Sequence, residues 1–108
     1  MLKEIILKYI KAFENKDVQY LSQIFDTNIE LIDWEISAKG IHDVLKANQN
    51  IFNALESIKV TIINIYEISN VVIIELNIEI NSTDSIKVVD IIEFNSVGKI
   101  CSIRAFKG

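Results

Sequence analysis

The second half of the chain alternates apolar and polar residues in a way that is typical of β-strands. Apolar side chains alternate with Glu and Asn over residues 72–81, and a similar alternation runs over residues 86–94. Because successive side chains of a strand point to opposite faces, each stretch predicts a strand with one apolar face. In the second stretch that face carries a single carboxylate, in the row Ile86, Val88, Asp90, Ile92 and Phe94.

Asp90 is the unusual member of that row. A buried carboxylate is costly unless it is paired, and it tends to keep its proton. A protonated Asp can donate a hydrogen bond, so Asp90 is a candidate pocket acid. The alternative is an Asp that pairs with an Arg or a backbone amide inside the sheet.

The remaining patterns define the architecture. Apolar residues at helical spacing predict helices over residues 2–14, 18–25 and 41–55, with Asp17 as N-cap of the second. Further strands are predicted over residues 29–34, 59–68 and 99–107, and a loop over residues 37–40. Hairpin turns between the last four strands predict an antiparallel sheet with the helices on one face. The fold class is therefore α+β, in one domain over residues 1–108.

The opposite face of this sheet is also expected to be apolar. Val89 and Ile91 point away from Asp90, and four further side chains are expected to join them: Ile63, Ile65, Ile103 and Ala105. With the helices on the first face, a second copy of the chain is the expected cover for the other. The pattern predicts a homodimer.

Composition narrows the function classes. A chain of 108 residues supports one hydrophobic core, and a net charge of −4 disfavours nucleic acid and anionic membrane surfaces as partners. The single cysteine allows no internal disulfide, and neither a signal peptide nor a membrane-spanning segment is apparent. We expect a soluble cytoplasmic protein. The sequence has no metal-ligand cluster, Gly-rich phosphate loop or Ser-His-Asp order, so no cofactor is expected.

Two further polar side chains, those of Tyr9 and Asp33, lie in rows that are otherwise apolar. Tyr9 lies in the middle of the apolar stripe of the first helix, and a buried phenol normally needs a partner for its hydroxyl. Asp33 ends the apolar row that begins at Ile29, where the strand leaves the core. It is either a functional carboxylate at the pocket rim or a cap for the following loop.

Four stretches carry a family pattern: residues 9–17, 25–33, 40–44 and 89–106. In order and spacing they resemble the nuclear transport factor 2-like superfamily, and within it the ketosteroid isomerase and SnoaL-like polyketide cyclase branch. The resemblance implies a curved antiparallel sheet with three helices across its concave face, forming a cone around an apolar pocket. It also implies dimers that use the convex face.

The resemblance also implies catalytic roles. The isomerase shifts a double bond next to a ketone with an Asp base and an oxyanion hole made of a Tyr and a protonated Asp. These match Asp33, Tyr9 and Asp90 respectively, although Tyr9 could instead be a core tyrosine. Positions of further family tyrosines hold Phe25 and Asn48, and a family aromatic position on the last strand holds Lys107.

The resemblance therefore implies a pocket for a small apolar or carbonyl-containing molecule. Besides the three catalytic candidates, the predicted ligand-binding residues are Phe13, Phe25, Trp34, Asn48, Phe52, Val88 and Ile92. The leading hypothesis is a cofactor-free isomerase or cyclase. The alternative is a non-catalytic ligand-binding or dimerisation module. Water activation, as in epoxide hydrolases of this fold, is a third hypothesis, but its Asp-Arg-Asp arrangement has no evident place in the sequence.

Overall fold

The computed structural model describes residues 2–108. The helices are α1 (Leu2–Glu14), α2 (Val18–Ile24) and α3 (Ile41–Ala54). The strands are β1 (Phe25–Ile32), β2 (Ser37–Lys39), β3 (Ile58–Ile68), β4 (Val71–Ile80), β5 (Asp84–Phe94) and β6 (Ile100–Lys107). This order confirms the α+β class.

The six strands form one curved sheet in the order β2-β1-β6-β5-β4-β3. Four of the five neighbouring pairs are antiparallel, but β1 and β6 run parallel. The prediction of a wholly antiparallel sheet was therefore wrong at this one pair. The hairpins that join β3 to β6 enforce antiparallel pairing, whereas β1 reaches β6 from far away in the sequence, so no tight turn constrains its direction.

The first strand is longer and less regular than predicted. It begins at Phe25, and its register with β6 shifts between Phe25 and Glu30. Within this shift the Asp26 carboxylate accepts a hydrogen bond from the Asn28 backbone N–H at 2.9 Å. The turn-forming residues 26–28 thus mark an irregularity inside the strand, because Asx side chains compete for backbone partners. The predicted loop at residues 37–39 is the short edge strand β2.

Polar contacts cap α2 and join the end of α1 to α3 and to the sheet. Asp17 caps α2 by accepting a hydrogen bond from the Tyr20 N–H at 3.0 Å, as predicted. At the end of α1, the Glu14 carboxylate accepts from the Val60 N–H at 2.7 Å. The Lys16 ammonium donates to the Leu55 carbonyl at the end of α3. These contacts join α1, α3 and β3 at one end of the fold.

The core lies between the helices and the concave face of the sheet. Ile6 from α1 and Leu21 from α2 are fully buried, as are Ile74 from β4 and Ile92 from β5. The concave face of β5 matches the predicted row: Val88, Asp90, Ile92 and Phe94 are all buried.

The assignment of residues to the convex face was wrong for three side chains. Ile103 and Ala105 pair with Ile92 and Asp90 and therefore face the helices, and Ile65 also packs against the core. Register shifts in the β3–β4 and β5–β6 pairs explain the error, because one inserted residue reverses the inside–outside alternation beyond it.

The convex face nevertheless carries exposed apolar side chains. They are Ile63, Tyr66, Ile68, Val89 and Phe106, whose exposed fractions range from 37% to 61%. In residues 2–108, no helix is both long enough and apolar enough to cross a membrane.

Candidate active site

A cavity of about 400 Å³ lies between the helices and the concave face of the sheet. Its size is typical of pockets for small organic ligands, which measure roughly 300–1,000 Å³. The apolar side chains that line it come from α1, β1, α3 and all four of the later strands. The lining is completed by a few polar side chains: Tyr9, Asp33, Glu35, Asn48, Asp90 and Lys107.

Three of these polar side chains lie deep in the cavity. The exposed fraction is 7% for Tyr9, 5% for Asn48 and 7% for Asp90. Within residues 2–108, none of their side-chain polar atoms hydrogen-bonds to another protein group. Across the same residues, every fully enclosed side-chain nitrogen or oxygen does have a partner. The polar atoms of these three side chains must therefore open onto the cavity.

Asp90 lies in the centre of the sheet, between Ile74 on β4 and Ala105 on β6. Burial, and secondarily the nearby Asp33 carboxylate, raises the pKa of Asp90 from 3.8 to about 7. Arg104, the Arg that could have paired with it, lies opposite Ile91 and so points to the other face. Asp90 is thus a largely neutral acid at slightly acidic pH, free to donate a hydrogen bond into the cavity.

Tyr9 is held by aromatic packing. Its ring centre lies 6.4 Å from that of Phe13 and 6.3 Å from that of Phe25. Burial, and then the negative charge available to Asp90, raises the pKa of the Tyr9 phenol far above its usual range. The hydroxyl therefore keeps its proton and can act as a donor.

Asp33 caps the loop that follows β1, and it also lines the cavity. Its Oδ1 accepts hydrogen bonds from the backbone N–H groups of Glu35 and Ile36, at 2.7 and 2.6 Å. Its own N–H donates to the Ile36 carbonyl at 2.9 Å. The carboxylate therefore caps the bend between β1 and β2, and it also lines the cavity. The capping bonds orient the group through one oxygen and leave Oδ2 free of protein hydrogen bonds within residues 2–108.

Trp34 and Lys107 lie together on the cavity lining. The Lys107 ammonium stands 5.9 Å from the centre of the Trp34 ring, within the range of a cation–π contact. Trp34 is 42% exposed and Lys107 is also exposed, so the pair lies where the cavity meets solvent.

The structure brings most of the predicted site residues together. Phe13, Trp34, Asn48 and Val88 line the cavity with the three catalytic candidates. Three predicted ligand-binding residues, Phe25, Phe52 and Ile92, are instead buried in the core behind the lining. They support it from there: the Phe52 ring packs edge-on against Phe13, with 5.1 Å between centres.

Sequence reasoning missed part of the lining. Ile103 and Ala105 contribute to the cavity from β6, and Glu35 and Ile36 contribute from the bend after β1. The strand residues were missed because of the register shift in β6, which the sequence did not reveal. In the described part of the chain, no three His, Cys, Asp or Glu side chains cluster in a way that could hold a metal ion.

No protein-family model and no curated protein sequence matches the chain. Solved structures do. The chain is similar to a proposed SnoaL-like polyketide cyclase from Shewanella denitrificans OS-217, with a TM-score of 0.88 and 15% identity over 99% of this chain and 90% of that one. It is similar to an NTF2-like protein of unknown function from Cytophaga hutchinsonii, with a TM-score of 0.84 and 14% identity over 100% and 90%.

A third similar structure is that of SalBIII, an epoxide hydrolase/cyclase-like enzyme with a role in the formation of the pyran ring of the polyether salinomycin. Its TM-score is 0.84 and its identity 21%, over 99% of this chain and 90% of that one. Such low identities establish architecture and not activity. The chain has the nuclear transport factor 2-like fold of the SnoaL-like proteins.

Proposed function

We propose that the cavity binds a small, mainly apolar carbonyl compound and moves a proton on the carbon next to its carbonyl group. The observation that carries this proposal is a buried acid with a pKa of about 7 that faces a mainly apolar cavity, together with a protonated phenol on the same lining. Donors preorganised in a dry site stabilise negative charge that develops on an oxygen. Tyr9 and Asp90 are such donors.

Asp33 is the base in this proposal. Its Oδ2 takes a proton from the carbon next to the carbonyl, and the electrons of the broken C–H bond form an enolate. Hydrogen bonds from the Tyr9 hydroxyl and the neutral Asp90 carboxyl stabilise the enolate oxygen. Asp33 then returns the proton to a different carbon, which isomerises the substrate without any other reactant. Alternatively, the enolate carbon attacks a second carbonyl of the same molecule and closes a ring. The π electrons of that carbonyl move to its oxygen, and Asp33 gives its proton to the alkoxide that forms.

The chain differs from the isomerase pattern at positions that affect the size and polarity of the substrate. Phe25 packs against Tyr9 at a position where the family pattern has a further tyrosine, so the Tyr9 hydroxyl has no phenolic partner there. Lys107 places a charge at the mouth of the cavity, where the family pattern has an aromatic ring. These differences support a substrate that is smaller and more polar than a steroid.

The test is the conversion of cyclohex-3-en-1-one to its conjugated isomer, followed by ultraviolet absorbance. Asp33→Asn keeps the Oδ1 acceptor that caps the bend but removes the base, so the rate is expected to fall by roughly 10²–10⁴-fold. Asp43→Asn is the matched control, because Asp43 is exposed on α3 and does not line the cavity. Deuterium uptake beside the carbonyl of other cyclic ketones extends the test. If Asp33→Asn matches the wild type throughout, the catalytic proposal is refuted.

A second candidate is a ligand-binding module without catalysis. The observation in its favour is that Asp33 already has a structural role, because its Oδ1 accepts two backbone hydrogen bonds. Under this alternative, ligands bind through Tyr9 and Asp90, and Asp33 serves only the bend. Binding of a phenol such as 2-naphthol without any exchange chemistry favours the module.

We further propose that two copies of the chain pair through their convex faces. The supporting observation is the group of exposed apolar side chains on that face, centred on the neighbouring residues Val89 and Phe106. Charges of both signs flank them, including Lys87 and Arg104 as well as Glu93, which suits pairing of a surface with itself.

A further inference from the structure

Asn48 is a polar side chain in the cavity wall that the proposed proton transfer does not use. It lies on the face of α3 that also presents Ile51 to the cavity, three residues further on. Leu55, which follows the last residue of α3, lines the cavity as well. Its exposed fraction is 5%, and within residues 2–108 its amide makes no hydrogen bond to protein. The neighbouring amides on α3 differ: Gln49 and Asn53 are exposed and bond to each other at 2.9 Å.

An unpartnered amide in this position selects among ligands. Buried polar groups in folded proteins are nearly always hydrogen-bonded, to protein or to water. Water can serve Asn48 while the cavity is empty, but a ligand that fills the cavity displaces that water. A hydrocarbon surface would then leave the amide unpaired, and a site built to hydrogen-bond a ligand rejects the analogue that lacks the group.

The amide also lies on a different element from the proposed oxyanion donors. Tyr9 comes from α1 and Asp90 from β5, whereas Asn48 comes from α3. The amide offers two N–H donors and one carbonyl acceptor, so it can pair with a hydroxyl or a carbonyl. The rest of the lining near it on α3 is apolar.

We infer that the ligand carries two oxygen functions: the carbonyl held by Tyr9 and Asp90, and a second hydroxyl or carbonyl group held by Asn48. This inference rests on the proposed function, since it takes the first carbonyl position from it. The substrate class is therefore a hydroxyketone or a dicarbonyl compound. A simple monoketone lacks the second contact.

Calorimetric titration with phenols tests the inference, because a phenol mimics the enol. The probes are 2-naphthol and its 2,3-, 2,6- and 2,7-dihydroxy analogues, which vary the separation of the two oxygens. At least one dihydroxy isomer is expected to bind the wild type about tenfold more tightly than 2-naphthol. In Asn48→Leu, which is close in size but has no amide, that preference disappears and 2-naphthol binds at least as tightly as before. Asn50→Leu, at an exposed position of the same helix, keeps the preference.

Three results overturn the inference. If a preferred dihydroxy isomer still binds Asn48→Leu more tightly than 2-naphthol does, another group binds the second oxygen. If 2-naphthol binds but no isomer is preferred, the ligand needs only one oxygen. If 2-naphthol itself binds more weakly to Asn48→Leu, the amide contacts the first oxygen. A wild type that binds none of the probes contradicts the proposed function itself, and the inference falls with it.

Discussion

Replacing Asp90 by Asn is expected to stabilise the protein at alkaline pH and to have little effect at acidic pH. The pKa of Asp90 is 3.8 in its ordinary state and about 7 in the folded protein. The folded state therefore binds the proton more tightly than the unfolded state does. Stability from this group is fully present below about pH 4 and is lost as the pH rises through about 7.

The size of the effect follows from the same two values. At about 1.4 kcal/mol for each tenfold change in an acidity constant, a pKa that rises from 3.8 to about 7 corresponds to about 4 kcal/mol of unfolding free energy. The wild type should lose on the order of this amount between pH 4 and pH 9. Asp90→Asn cannot ionise, so at pH 9 it should exceed the wild type by a similar margin.

The assay is urea unfolding of wild type and Asp90→Asn between pH 4 and pH 9. Asp84→Asn is the matched control, because Asp84 lies on the same strand but is exposed. The difference between wild type and Asp90→Asn should grow as the pH rises, while Asp84→Asn should follow the wild type. If the unfolding free energies of wild type and Asp90→Asn differ by the same amount at every pH, the assignment of Asp90 as a buried neutral acid is refuted.

Other substitutions separate structural from functional roles. Asp33→Ala, which removes the acceptor of two backbone hydrogen bonds, should cost about 1 kcal/mol or more of unfolding free energy, whereas Asp33→Asn should cost little; urea unfolding compares them. The proposed pairing through the convex face predicts a wild-type dimer in sedimentation, which Phe106→Glu should convert to monomer and Val97→Glu, in an exposed hairpin loop, should not. Lys107→Met should alter the fluorescence of Trp34, the chain's one tryptophan, and cost less than about 1 kcal/mol.

The sequence was most informative where the alternation of a strand is unbroken. On β5 the row from Val88 to Phe94 is buried as predicted, because no register shift interrupts the strand before its end. On β6 and β3 one inserted residue reverses the alternation, and Ile103 and Ile65 therefore face the core instead of the convex side. The hydrophobic pattern therefore predicts the presence of such a strand more reliably than it predicts which of its residues are buried.

The gathering of Tyr9, Asp33 and Asp90 on one cavity was anticipated only through the family resemblance. Their positions come from an α-helix, a strand end and a central strand, and no local pattern links such distant residues. The capping of the bend by Asp33 was one of the two interpretations that the sequence allowed. The parallel pairing of β1 with β6 could not be inferred, since long connections leave the direction of a strand free.

The most direct test of the account is a ¹³C NMR titration of the Asp90 carboxyl carbon, assigned by its disappearance in Asp90→Asn. The carboxyl carbon is expected to titrate with a midpoint near pH 7 in the free protein. Saturation with 2-naphthol should move the midpoint higher, because a ligand oxygen that accepts the Asp90 proton favours the neutral acid. A midpoint near the ordinary value of 3.8, unmoved by the ligand, would contradict the account.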